Sequence, residues 1–286
     1  MLPTSQLVPT GFSVAAIFAW GTSDFVGGYA VRRADAFRFT TIVNASGGLL
    51  VAALALLNHS AFPTRSNAEW ALAAGLMAGI SLAAFYRALA TGGMGLTAPV
   101  AAILGAAIPA VVGIVTQGLP GRLRIAGFLL AVAGMWLISR PEGQARPQGL
   151  GLAVVAGIGF AGFFLCLKQS GGGSALWIAA LSRACSFVVT GAVVLFRRNF
   201  QGVIAQSVTP AGAGMGILAG FIDVTGSVLF IRAAQTGRLD AAVVISSLYP
   251  AITVLLARFF LKERFTRWKT LGMLAALLAV PLIAMQ

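Results

Sequence analysis

Three ionisable side chains stand inside long apolar stretches of this sequence, where a charge is hard to accommodate. They are Asp24, Arg183 and Asp223, and the two acids are among only seven in a chain of 286 residues. A charged group at the centre of a membrane helix costs about 2.5–3.5 kcal/mol on insertion scales, so such a residue suggests function by default. Each of the three is therefore a candidate site residue.

Asp24 follows Trp20 by one helical turn, so the carboxylate and the indole share a helix face. The carboxylate could take up and release a proton, or it could balance the charge of a substrate amine. The alternative is a structural ion pair with an arginine near a helix end, such as Arg32, Arg33 or Arg87.

Arg183 and Asp223 each have a binding interpretation and a structural one. A guanidinium can hold a carboxylate in a bidentate grip, so Arg183 could recognise an anionic substrate group. It could equally pair with Asp223 inside the bundle. Asp223 could pair with Arg183 or Arg232, or it could contact the substrate.

Five aromatic residues are candidates to line a binding cavity. Such rings could stack on a substrate or attract an ammonium group, although packing against lipid or in the core is at least as good an explanation for any one of them. They are Trp20, Tyr86, Phe160, Phe163 and Tyr249.

Composition places these residues in a membrane. Hydrophobic residues make up 58% of the chain and charged residues 9%, whereas soluble domains carry about 25% charged residues. A transmembrane helix needs about 20 mostly apolar residues. The sequence therefore predicts an all-α polytopic membrane protein with ten transmembrane helices. They lie at 10–30, 38–57, 69–90, 95–116, 122–139, 149–169, 175–196, 211–234, 240–260 and 267–285.

Short patterns recur in the same order in the two halves. Arg-Ala-x-x-Thr-Gly begins at Arg87 and again at Arg232, 145 positions later, and Pro109 is matched by Pro250 at an offset of 141. The repeats predict two five-helix units, 1–140 and 149–286, joined by a linker loop at 141–148. Because five is odd, the second unit enters the membrane inverted, as in many secondary transporters. The alternative is that duplication only builds a stable bundle.

Several residues near helix ends or contacts have structural interpretations. The matched prolines remove a backbone donor and predict hinges at Pro109 and Pro250. Arg87 and Arg232 are predicted to cap helix C-termini, and Lys168 to extend its ammonium outward to the membrane surface. Glycines at helical spacing predict close helix contacts. They are Gly75, Gly79, Gly212, Gly216 and Gly220.

The chain resembles the EamA branch of the drug/metabolite transporter superfamily through several short segments. They are 19–25 (Ala-Trp-Gly-Thr-Ser-Asp-Phe), 87–89 (Arg-Ala-Leu), 249–250 (Tyr-Pro), and 261–266 followed by Gly272. The family usually has a glutamate after both the fourth and ninth spans, but only the second copy has one here, Glu263. The resemblance implies ten helices, a central cavity lined from both halves, and export or uptake of small metabolites such as amino acids, nucleosides or drugs.

Motifs for other chemistry are missing from the sequence. The only histidine is His59, so no histidine metal cluster is expected, and no phosphate-binding loop is present. We therefore expect no cofactor and no enzyme activity. The net charge of +13 comes almost wholly from span ends and loops, which is a topology signal and not a nucleic-acid groove.

The expected function is secondary transport of a small metabolite, for example an amino acid, by alternating access, with export as the direction. The expected setting is the inner or plasma membrane, as a monomer or homodimer, with the solute and lipid as partners and no nucleic acid. The alternatives are a structural or receptor-like membrane protein and an intramembrane enzyme.

Overall fold

The computed structural model describes residues 4–30, 34–91, 94–139, 149–200, 208–261 and 266–284. Within these ranges the chain forms eleven α-helices and no strand. They are α1 Thr4–Ala30, α2 Ala36–Leu57, α3 Arg65–Thr91, α4 Met94–Gln117, α5 Arg122–Ser139, α6 Leu150–Gln169, α7 Ala175–Phe200, α8 Pro210–Thr236, α9 Leu239–Ser246, α10 Pro250–Phe260 and α11 Arg267–Ala284. The predicted linker at 141–148 lies outside the described residues.

Seven segments of the described chain are long and apolar enough to cross a membrane. They are Ala36–Leu57, Arg65–Phe85, Leu150–Gln169, Ala175–Asn199, Pro210–Thr236, Leu239–Phe260 and Arg267–Ala284. The segment Leu239–Phe260 contains both α9 and α10, so these two short helices together have the length of one span. The helices and their apolar composition make the chain a multi-pass membrane protein.

Capping residues mark where two of the helices begin. Asp35 precedes α2, and its carboxylate accepts a hydrogen bond from the backbone N–H of Arg38 (3.0 Å). Thr209 precedes α8 and accepts one from the N–H of Gly212 (3.1 Å). Arg197, near the end of α7, lies 3.1 Å from the Asp35 carboxylate, so α7 finishes at the end of the bundle where α2 starts.

Cations from neighbouring helices cap helix C-termini at the opposite end of the bundle. The Lys168 ammonium donates to the carbonyl of Ala234, near the end of α8. The Arg124 guanidinium, only 4% exposed, donates through Nε to the carbonyl of Ile283 near the end of α11 (3.0 Å). The last carbonyls of a helix lack internal donors and favour a nearby positive charge. For Lys168, which was predicted to extend toward the membrane surface, the structure adds a contact at that end of the bundle: its partly buried ammonium caps the C-terminus of α8.

Arg238 makes the most extensive of these contacts, which we call the Arg238 bracket. Its guanidinium donates to the carbonyls of Gln117 (3.0 Å) and Gly118 (2.8 Å), at the end of α4. It also forms an ion pair of 2.8 Å with the fully buried carboxylate of Asp240 in α9. Donation to this carboxylate raises the pKa of Arg238 above its ordinary value. The side chain of Gln117 returns a contact by accepting from the N–H of Leu239 (3.2 Å).

The core is concentrated at the end of the bundle that carries the Arg238 bracket, which we call the filled end. All eight residues of α9 are buried there, and Phe230 of α8 is fully buried against them in the same cluster. The other end, at which α1 finishes and α2 starts, holds the cavity described below and is called the cavity end.

Glycines allow the helices to approach closely, as predicted at four of the five positions. A Cβ on Gly75 of α3 would overlap the carbonyl oxygen of Ser182 in α7, and one on Gly79 would lie 2.6 Å from Val189. In α8, Gly216 and Gly220 face α2 at similarly close range. Gly212 differs, because a Cβ there would meet only Val208 and Thr209, just before its own helix.

Candidate functional site

A cavity of about 600 Å³ runs from mid-depth toward the cavity end. Within the described residues, every helix except α9 and α11 contributes to its lining, together with the junction between α9 and α10. Pockets for small molecules typically measure about 300–1,000 Å³ and are mostly apolar with a few polar groups. The cavity therefore has the size and character of a small-molecule site.

The structure brings most of the predicted site residues to this one cavity. Those that line it are Trp20, Asp24, Phe160, Phe163, Arg183, Asp223, Tyr249 and Pro250. Pro109 is buried within α4 and lies outside the lining. The side chain of Tyr86 falls outside the part of the chain whose side chains the structure describes.

An aromatic cluster around Trp20 forms the floor of the cavity on the side of the filled end. The Trp20 ring lies 5.7 Å from Phe230, 6.1 Å from Phe164 and 6.1 Å, edge-on, from Tyr249 between centroids. Its indole N–H donates to the backbone carbonyl of Asp223 (3.1 Å). With its polar atom satisfied and its face in a packed cluster, the indole is held in one position.

Arg183 and Asp223 form an ion pair in the cavity wall. The Arg183 Nη2 and Asp223 Oδ2 atoms are 2.6 Å apart, with 15% and 19% of the side-chain surfaces exposed. The guanidinium also donates to Oδ1 of Asn44 (3.2 Å) and to Oγ of Ser227 (2.5 Å). Arg183 and Arg232 were the two possible ion-pair partners of Asp223. The structure pairs Asp223 with Arg183, whereas Arg232 is exposed on the surface of α8.

Asp24 lies on the strip of α1 that faces the cavity. Trp20, Asp24, Gly27 and Gly28 all line the space, as expected for residues three or four apart on a helix. The Asp24 side chain is exposed into the cavity, and within the described part of the chain it accepts no hydrogen bond and forms no ion pair. Arg32, Arg33 and the side chain of Arg87, its suggested structural partners, lie outside that part.

More aromatic rings extend the wall above the floor. Phe160 of α6 meets Phe85 of α3 edge-on at 6.0 Å, and Phe163 lies 5.2 Å from Phe164. A flat apolar solute entering the cavity would therefore meet ring faces and edges on several sides.

The span that contains Pro250 is interrupted next to the cavity. Helix α9 ends at Ser246, and α10 begins at Pro250, which has no N–H to donate to the preceding turn. Thr253, one turn into α10, donates through its hydroxyl to the carbonyl of Gly21 in α1 (3.0 Å). Pro109 has a different setting, because α4 runs from Met94 to Gln117 as one helix. Only one of the matched prolines thus lies at a helix boundary.

The sequence predictions missed four residues that shape the site. Asn44 and Ser227 hold the guanidinium, and Phe85 and Phe164 build the walls. For Asn44 a signal was available, since it is a lone amide in an otherwise apolar stretch, and a buried amide needs a partner. Phenylalanine is common throughout the chain, so the two rings carry no comparable signal.

Comparison with known proteins gives a family match in the second half of the chain and one solved structure with a similar fold. A solved structure described only as the crystal structure of a protein shares the fold, with a TM-score of 0.77 at 14% identity over 96% of this chain and 97% of that one. No curated protein matches the sequence significantly. The model of the EamA-like transporter family matches residues 147–285. This match to the second half of the chain confirms the resemblance drawn from its sequence.

Proposed function

We propose that the chain is a secondary transporter that moves a small organic solute through the central cavity by alternating access. The observation that carries the proposal is a solute-sized space that reaches mid-depth from one end and is closed at the other. Transport by alternating access needs such a one-sided cavity near the midplane. The match of residues 147–285 to the EamA-like transporter family supports the same conclusion.

The pairing of helices supports two inverted five-span repeats, 1–140 and 149–286, joined through 141–148. The contact of α1 with α8 has its counterpart, five spans on, in that of α6 with α3. The contact of α2 with α8 corresponds to that of α7 with α3, and α4 with α6 corresponds to the α9–α10 span with α1. Helices α5 and α11, the last of each repeat, pair with each other. With α9 and α10 counted as one span, the proposed repeats contain ten spans.

In the proposed cycle, the two repeats exchange conformations around the aromatic floor. The cavity end would close as the filled end opens, with the Pro250 junction as a hinge because a helix boundary bends more easily than a continuous helix. Export, a location in the inner membrane and an amino-acid substrate remain predictions of this proposal.

Filling the cavity should block transport, and α1 offers a matched pair of glycines for the test. Gly28 lines the cavity and Gly11 does not, and a Cβ at either would meet nothing within 4 Å. We expect Gly28→Trp to lower solute flux about tenfold or more, because the indole would stand in the solute path. The measurement is mass-spectrometric detection of metabolites taken up by proteoliposomes from a mixture, against empty vesicles.

The Gly11→Trp variant controls for the bulk of a tryptophan on the same helix and should transport as the unmodified protein does. Equal flux in both variants would reject the cavity as the path. No metabolite accumulation by the unmodified protein, under any imposed ion gradient or in exchange, would reject transport itself.

A further inference from the structure

The charges in the described part of the cavity lining do not balance. Within the described lining, the side chains that ionise near neutral pH are Asp24, Arg183 and Asp223. With both carboxyl groups ionised, two carboxylates against one guanidinium give a formal charge of −1. In a space surrounded by apolar helices and lipid, an uncompensated charge is screened far less than in water. The cavity therefore favours a ligand that brings a positive charge.

Arg183 is already committed to other groups. It lies 2.6 Å from Asp223 Oδ2 and also donates to Asn44 and Ser227, so three acceptors converge on one guanidinium. Its charge is already balanced by the Asp223 carboxylate, so an anionic ligand would gain little from the pair and would face a second carboxylate, Asp24, across the same cavity. Of the two roles open to Arg183, the contacts favour the structural pair over recognition of a substrate carboxylate.

Asp24 is the carboxylate in the described lining that has no ion-pair partner there. It faces the cavity one helical turn from Trp20, and no described residue pairs with it. Phe85 and Phe160 line the same space. Ring faces attract cations as well as apolar groups, and the attraction grows when the cation is taken out of water.

We infer that the cavity selects organic cations, namely amines whose ammonium group pairs with Asp24 while the apolar body lies against the aromatic wall. The inference rests on the proposed transport function and narrows its substrate to one charge class. The inference departs from the amino-acid substrate predicted above. A zwitterion is disfavoured because its carboxylate would find no cation in the described lining except Arg183, which is paired with Asp223.

Three probes that share one skeleton and differ in charge test the inference on the purified full-length protein. They are phenethylamine, phenylalanine and 3-phenylpropanoate, with hexylamine and hexanoate as an aliphatic pair. Binding is measured by isothermal titration calorimetry in detergent. We expect each amine to bind about tenfold or more tightly than the acid and the zwitterion of the same skeleton, as one additional ion pair would give.

Substitutions of Asp24 test whether its carboxylate causes the preference for amines. Asp24→Asn should weaken amine binding about tenfold and should not weaken binding of the acids, because it removes a negative charge from the cavity, and Asp24→Glu should retain most of the amine preference. Glu69→Gln is the control, because it removes an acid that pairs with Arg65 on the exposed surface, away from the cavity. It should bind all probes as the unmodified protein does.

The inference is overturned if acid or zwitterion binds as tightly as the amine, if Asp24→Asn keeps the preference, or if no amine binds. The probe series on the unmodified protein decides the matter even where a variant does not fold. Metabolite uptake that persists without amine binding would overturn this inference and leave the transport proposal standing.

Discussion

Replacing Arg183 by alanine should destabilise the folded protein by about 3 kcal/mol, because it strands the Asp223 carboxylate in the cavity wall. Breaking a buried ion pair from one side typically costs about 3–5 kcal/mol. The lower end applies here, since 15% and 19% of the two side-chain surfaces are exposed and water reaches them through the cavity. The measurement is the free energy of unfolding in mixed micelles under a denaturing detergent.

A double variant separates the stranded charge from lost packing. Arg183→Met with Asp223→Leu removes both charges and keeps most of the apolar volume, so it should be more stable than Arg183→Ala. Replacement of an ion pair by apolar groups of similar size is often nearly neutral. If the double variant is less stable than the single one, the pair contributes net stability and the stated reason for the loss is wrong.

Replacing Gly75 by alanine should destabilise the contact between α3 and α7. The added methyl group would overlap the carbonyl oxygen of Ser182 and lie 2.8 Å from the Cβ atom of Cys185. The same backbone is tied across by a hydrogen bond from the Ser186 hydroxyl to the Gly75 carbonyl (2.9 Å). The Ser182 carbonyl oxygen and the Cys185 Cβ atom cannot move without the backbone, so α3 and α7 must move apart. We expect this to lower the free energy of unfolding by about 1–3 kcal/mol or more.

Gly191 provides the matched control on α7. A Cβ there would meet nothing within 4 Å, so Gly191→Ala should be neutral or stabilising by up to about 1 kcal/mol through helix propensity. Thermal unfolding followed by circular dichroism ranks the two variants. Equal melting temperatures would show that α3 and α7 are not in close contact at Gly75.

The site residues that could be predicted from the sequence are the ionisable ones, because a charge inside an apolar span is costly wherever the span lies in the fold. An ion inside an apolar span must face either a partner or water, so Asp24, Arg183 and Asp223 converge on the cavity or its wall. The sequence also contains the information that excludes Arg232 as the partner of Asp223. Arg232 lies nine residues after Asp223, so the two side chains point to opposite faces of α8. Ser227 lies four residues after Asp223 and therefore shares its face.

Other features depend on contacts between distant parts of the chain. Lys168 is near a helix end, and its role as a cap depends on the C-terminus of α8, which the fold places beside it. Two prolines at matched positions have different outcomes, since Pro250 opens α10 and Pro109 lies within α4. A local pattern contains the proline in both cases, but the neighbouring helices decide whether the chain bends there.

The Arg238 bracket has a consequence for the balance between the two states of the proposed cycle. At the repeat offset of 145, the first half has Gly93 and Gly95 where the second has Arg238 and Asp240. The cavity end, when closed, would therefore lack the charged hydrogen bonds that now hold the filled end. Charge-assisted hydrogen bonds are each worth about 1.5–3 kcal/mol net. The two conformations of the cycle would therefore not be equally populated, even if their backbones were related by the repeat. In the absence of solute, most molecules would rest with the cavity at its present end, and the slow part of each cycle would be the opening of the other.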